Sequence, residues 1–131
     1  MTGLDTNILV RFFAKDDPIQ LQKARAVLST LTVSEPGWVG VATIVELVWV
    51  MTRSIGVGRD VVVQILADLL TVESIVVEQS DNVEKALQRY RNSRADFADC
   101  LIAASAKAAG CSRTVTFDRI AARDAGMELL G

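Results

Sequence analysis

The sequence predicts an α/β chain: a parallel sheet with helices on both faces. Two observations predict it. Short apolar runs rich in β-branched residues alternate with segments of helical period. Proline and glycine, 2 and 8 of 131 residues, are scattered rather than clustered, so neither a linker nor a repeat divides the chain. With 50% hydrophobic and 23% charged residues, the composition is that of a globular protein with its own core. One domain over residues 1–131 is expected.

The elements follow in order. Thr2–Leu4 reads as a short first strand and Asn7–Ala14 as a helical turn or two. Asp17-Pro18 marks a helix start, with an acid at the N-cap and proline at the first helical position. That helix runs to about Leu31 and puts Leu21, Ala24, Val27 and Leu28 on one face. Gly37–Gly40 is a strand. Val41–Ile55 is almost wholly apolar and reads as a buried helix, broken by Gly56 and Gly58. Arg59–Leu70 is a helix and Ser74–Glu78 a strand. Asp81–Asn92 is an amphipathic helix, and Asp96–Ala109 an alanine-rich one closed by Gly110. Arg113–Phe117 is a strand, Asp118–Asp124 a short helix, and Met127–Leu130 a last strand.

Composition also excludes chemistry. The chain has no histidine, which removes Ser-His-Asp and Cys-His nucleophile systems and histidine-ligated metals. Fourteen basic against sixteen acidic residues give a net charge of −2, so a protein that coats nucleic acid by bulk charge is not expected. Cys100 and Cys111 lack metal-site spacing and read as free packing residues. The opening Met1-Thr2-Gly3-Leu4-Asp5 has no basic region followed by an apolar run, so no signal peptide is expected. The longest apolar stretch, Pro36–Met51, is short for a membrane span and contains Glu46. A cytoplasmic protein is expected.

In parallel α/β sheets, ligands sit at the carboxyl ends of strands. Acids fall there or at helix starts: Asp5, the pair Asp96 and Asp99, and Asp118. Glu46 stands among apolar neighbours within the predicted buried helix, where a carboxylate needs a partner or a cation unless that face is exposed. Asp5, Asp96 and Asp118 are also good helix caps, and Asp96 with Asp99 resembles a capping box. Converging carboxylates repel, by roughly 4 kcal/mol at 4 Å and an effective dielectric of 20. Such a set favours a hard divalent cation, Mg²⁺ or Mn²⁺, and Mg²⁺ commonly bridges protein carboxylates to phosphates.

The segments Leu-Asp-Thr-Asn-Ile-Leu-Val-Arg, Ile-Val-Glu-Leu-Val-Trp-Val, Asp-Phe-Ala-Asp-Cys-Leu-Ile-Ala-Ala and Thr-Val-Thr-Phe-Asp, in that order, resemble the PIN domain. More narrowly, they resemble the toxin ribonucleases of VapBC toxin–antitoxin pairs. The resemblance spans essentially the whole chain. It implies a three-layer α/β/α sandwich with a central parallel sheet, and a site for one or two divalent ions that activates water for phosphodiester hydrolysis. It assigns Asp5, Glu46, Asp99 and Asp118 to the family's core acids, and Asp96 to an extra acid of this branch. Asp5 and Asp99 are expected as direct ligands, Glu46 and Asp96 to bind the second ion or orient water, and Asp118 to complete the shell. Thr116 matches a small hydroxyl residue near the last acid. An RNA substrate, a homodimer and a cognate VapB-type antitoxin whose tail fills the acidic groove are implied as well. A non-catalytic binding module of the same fold and a structure-specific DNA nuclease are the alternatives.

Arg89, Arg91, Arg94, Arg113, Arg119 and Arg123 surround the later acids in sequence and could hold RNA phosphates. Trp38 and Trp49, within apolar runs, are expected in the core.

Overall fold

Every strand pairing in the molecule is parallel. The computed structural model describes residues 1–131, which divide into two units, Met1–Glu78 and Gln79–Gly131. The first unit contains β1 (Thr2–Gly3), α1 (Thr6–Ala14), α2 (Pro18–Ser29), β2 (Gly37–Val39), α3 (Val41–Trp49), α4 (Arg59–Thr71) and β3 (Ile75–Val77). Its sheet has the order β1-β2-β3, flanked by helices. Gly3 pairs with Trp38, and Trp38 with Val76. The second unit contains α5 (Ser80–Arg91), α6 (Phe97–Ala108), β4 (Val115–Thr116), α7 (Arg119–Asp124) and β5 (Glu128–Leu129), with β4 and β5 paired.

Local chemistry explains these boundaries. Asp17 caps α2: its Oδ1 accepts from the Ile19 and Gln20 N–H groups at 3.1 and 3.0 Å. Pro18 takes the first helical position, where no N–H is needed. Asp17→Ala should therefore cost about 1 kcal/mol, read as a lower urea midpoint at unchanged slope. An unchanged midpoint would show that the cap contributes nothing. The helix ends at Ser29, two residues before the expected Leu31. Of its expected inner face Ala24 is buried, Leu21 and Leu28 are half-buried, and Val27 is exposed.

The run expected as one buried helix over Val41–Ile55 departs from expectation twice. It is α-helical only to Trp49, and Val50–Ile55 is π-helical, ending at Gly56 with φ +86°. Nor is it buried all round. Ile44, Leu47, Val48 and Met51 are buried, whereas Ala42, Glu46, Trp49 and Arg53 are exposed. Each set repeats at helical spacing, so one face packs and the opposite face meets solvent. Trp49 is 59% exposed and Trp38 37%, which corrects the expectation that both lie in the core. The Trp38 ring still shapes its surroundings. A Cβ on Gly40 would lie 3.0 Å from it, so the turn from β2 into α3 is closed by a residue without a side chain.

The core of the first unit includes Leu4, Leu9, Val39, Ile44, Leu47, Met51, Leu66 and Val77. That of the second includes Val83, Leu87, Tyr90, Phe97, Cys100 and Leu101, with α5 packed along α6. The Tyr90 and Phe97 rings meet edge to face, 5.8 Å apart at 81°. Cys100 is buried and Cys111 exposed, both as free thiols, so only Cys100 packs as expected. No helix is long and apolar enough to cross a membrane.

Candidate functional site

In the first unit, the carboxyl edge of the sheet carries two acids. Asp5 follows β1 and stands at the N-cap position of α1, but its side chain makes no capping bond. It is exposed. Glu78 follows β3, and its Oε1 accepts from the Val41 N–H at 2.9 Å, capping the start of α3. The sequence pattern puts Glu78 at the end of the Ser74–Glu78 strand, whereas β3 ends at Val77. An acid directly after a β-branched run was the signal that could have singled it out, and its role here is structural. Glu46 lies on the exposed stripe of α3 rather than in the interior, which removes the cost of burying it. Its helix packs against α1.

The second unit brings three of the predicted acids into electrostatic contact. Asp96 occupies the N-cap position of α6, yet its side chain makes no capping bond. The capping-box alternative therefore fails for this residue. Asp99 lies in the first turn of the same helix and is half-buried. Partial burial pushes its carboxyl above the ordinary range, and the charges of Asp96 and Asp118 push it further. Asp118 does cap: its Oδ1 accepts from the Ala121 N–H at 2.9 Å at the start of α7. The Thr116 Oγ1 accepts from the Asp118 N–H at 3.0 Å and fixes the turn that presents this acid. Both sets of acids thus follow the rule that places ligands past the carboxyl ends of parallel strands or at helix starts.

The donor set is all oxygen, as a hard cation requires. No three side chains of the ligating types are arranged to hold an ion on their own. Mg²⁺ does not require such a cage, since it keeps several waters and takes one or two protein carboxylates. The mutual charge of Asp96, Asp99 and Asp118 fits a hydrated divalent cation.

The raised Asp99 carboxyl has a measurable consequence. The native state holds this proton to higher pH than the unfolded chain does. Stability therefore falls as pH rises from the ordinary Asp range through the raised native value. Asp99→Asn removes that loss and should raise Tm at neutral pH by about 1–3 °C, a modest gain because the acids are largely solvated. At pH 3 the two proteins should melt alike. Equal Tm at neutral pH would count against the repulsion.

The arginines are less free than their sequence positions suggest. Arg123 grips Asp124 through Nε and Nη2 at 2.9 and 3.0 Å. That hydrogen bonding holds the Asp124 carboxyl below its ordinary range. The Arg94 backbone N–H donates to the same carboxylate at 3.1 Å. Arg113 pairs with Glu128 at 2.9 Å. Arg91 and Arg119 are exposed.

The PIN-domain family model matches residues 4–126, which takes in all five predicted acids. Among curated proteins, none matches the chain.

Proposed function

We propose, from the premise that this chain belongs to the PIN-domain family, that it is a divalent-metal-dependent endoribonuclease of the toxin type, neutralised by a cognate VapB-type antitoxin. Membership supports nuclease chemistry and general use of divalent metals. The observation that carries the reading to this chain is Asp99, held above its ordinary range by burial and by the charges of Asp96 and Asp118. A carboxylate set under mutual repulsion gains most from a cation, and an Mg²⁺ or Mn²⁺ site among phosphodiester enzymes is the setting where that gain serves chemistry.

The proposed acids are Asp5 and Glu46 in the first unit and Asp96, Asp99 and Asp118 in the second. Asp5 and Asp99 are assigned as direct ligands. Asp5 and Asp96 leave their side chains uncommitted at helix starts. Asp118 gives Oδ1 to its cap, and its other oxygen is assigned to the cation. Glu46, exposed on α3, is assigned to orient water or a hydrated ion. When bound, the cation supplies Lewis-acid charge and makes water nucleophilic at neutral pH. The RNA substrate, the homodimer and the antitoxin rest on the likeness of the quoted motifs to VapBC toxins, and the single domain on the span of the family match. The experiment is incubation of purified protein with total cellular RNA, with Mg²⁺, Mn²⁺ or chelator, followed by mapping of the cut ends. Discrete cuts that need metal are expected. Intact RNA under every condition, from folded protein free of antitoxin, would overturn the reading in favour of a binding module. Cuts in single-stranded or branched DNA alone would point to a DNA nuclease.

A further inference from the structure

The second unit holds a cavity of about 710 Å³ that the proposed chemistry does not use. None of Asp96, Asp99 or Asp118 lines it, nor does any other acid. Four cations do: Lys85, Arg89, Lys107 and Arg113. In a chain of net charge −2, this concentration of one sign is local. The cavity lies toward the far end of α6 from the acids, since Lys107 is eight residues beyond Asp99, about 12 Å along the axis.

Arg89 donates from Nη1 to the Asp124 carbonyl oxygen at 3.3 Å. Its guanidinium lies so close to Gly126, at φ +77°, that a Cβ there would come within 3.1 Å of Nη1. The turn after α7 thus lies against Arg89, which stays exposed and has further guanidinium donors to offer. Arg113 pairs with Glu128 at 2.9 Å in an exposed contact that already offsets its charge. Lys85 and Lys107 are exposed on the two packed helices. The α6 side contributes Ala103 and Ala104, whose small side chains leave room for a ligand, and Ser112 adds a hydroxyl donor. A volume of this size is that of a small-ligand site.

We propose that this cleft binds a phosphate ester. Lys85, Arg89 and Lys107, which form no salt bridge, offer the positive charge a phosphate needs, and a guanidinium suits phosphate oxygens in particular. The ester could be a free nucleotide or the backbone of a single strand, and one experiment separates them. Cys111 lines the cleft and is exposed, while Cys100, which also lines it, is buried. Alkylation of Cys111 by N-ethylmaleimide, followed by intact mass, therefore reports occupancy. The reaction is run in chelator at ionic strength fixed with KCl, against adenosine 5′-monophosphate, adenosine, and a 2′-O-methyl hexanucleotide that resists cleavage.

Slowing by the monophosphate at millimolar concentration or below, with none by adenosine, is expected. In the double variant Lys85→Gln/Lys107→Gln, half-protection should need about 100-fold more ligand, roughly tenfold for each lost charge-assisted contact. Both lysines are exposed, so its Tm should match the wild type. A hexanucleotide that protects no better than the monophosphate identifies a nucleotide pocket. Protection at a hundredfold lower concentration, weakening steeply with salt, identifies a strand-binding cleft. Equal slowing by adenosine, slowing by no phosphate ester, or unchanged protection in the folded double variant would overturn the proposal. None of these outcomes depends on nuclease activity.

Discussion

Asp99→Asn should abolish metal-dependent RNA cleavage while leaving the protein folded. The substitution keeps the shape of the side chain and removes one negative charge. Loss of one preorganised electrostatic group from a reacting centre costs about 10²–10³-fold in rate, and loss of a direct cation ligand should reach at least that. Folding should not suffer. Asp99 is half-buried, and burial and its acidic neighbours already disfavour its charge. Activity and stability should thus move in opposite directions, a combination that general damage to the fold does not produce. A divalent cation adds a second readout. It should raise Tm in the wild type through binding to the native state, and raise it less in Asp99→Asn. Cleavage at the wild-type rate by the variant would show that the acid pair at the head of α6 is not the reacting centre. Equal thermal response to Mg²⁺ in both proteins would show that Asp99 does not hold the cation.

How much of this could be read from the sequence differs by element, and the reasons are physical. Asp17-Pro18 was legible because a cap and a pre-set φ are local signals that need no tertiary partner. The parallel pairings were legible through the alternation of short apolar runs with helical segments. The accessibility of α3 was not. Its exposed stripe is filled by Ala42, Glu46 and Trp49, two of them apolar, so hydropathy cannot separate the packed face from the wet one. Glu46 consequently looked like a buried charge when it is a solvent-facing one. At the candidate site, sequence found the acids but could not separate caps from uncommitted carboxylates, because both uses favour the same residue at the same position. Geometry separates them: Asp118 and Glu78 spend an oxygen on helix starts, while Asp5 and Asp96 make no capping bond.

Phe97→Ala should carry the largest stability cost of the substitutions considered. Phe97 is 2% exposed and is the first helical residue of α6. Truncating a buried phenylalanine costs about 3–5 kcal/mol, from lost transfer energy and the cavity left behind. The edge-to-face contact with Tyr90 belongs to that loss. Native domains hold only about 5–15 kcal/mol in total, so Tm should fall by roughly 10–20 °C. Phe97→Leu keeps most of the volume and should lose less than half as much. The position also links packing to chemistry. Asp96 directly precedes this ring and Asp99 lies two residues beyond it, so the buried ring anchors the helix start that carries both carboxylates. Phe97→Leu, still folded at 25 °C, should therefore need more Mg²⁺ for half-maximal cleavage even though it removes no acid. A fall in Tm with unchanged Mg²⁺ dependence would confine Phe97 to the core. A loss of less than 1 kcal/mol in Phe97→Ala would contradict its burial against Tyr90.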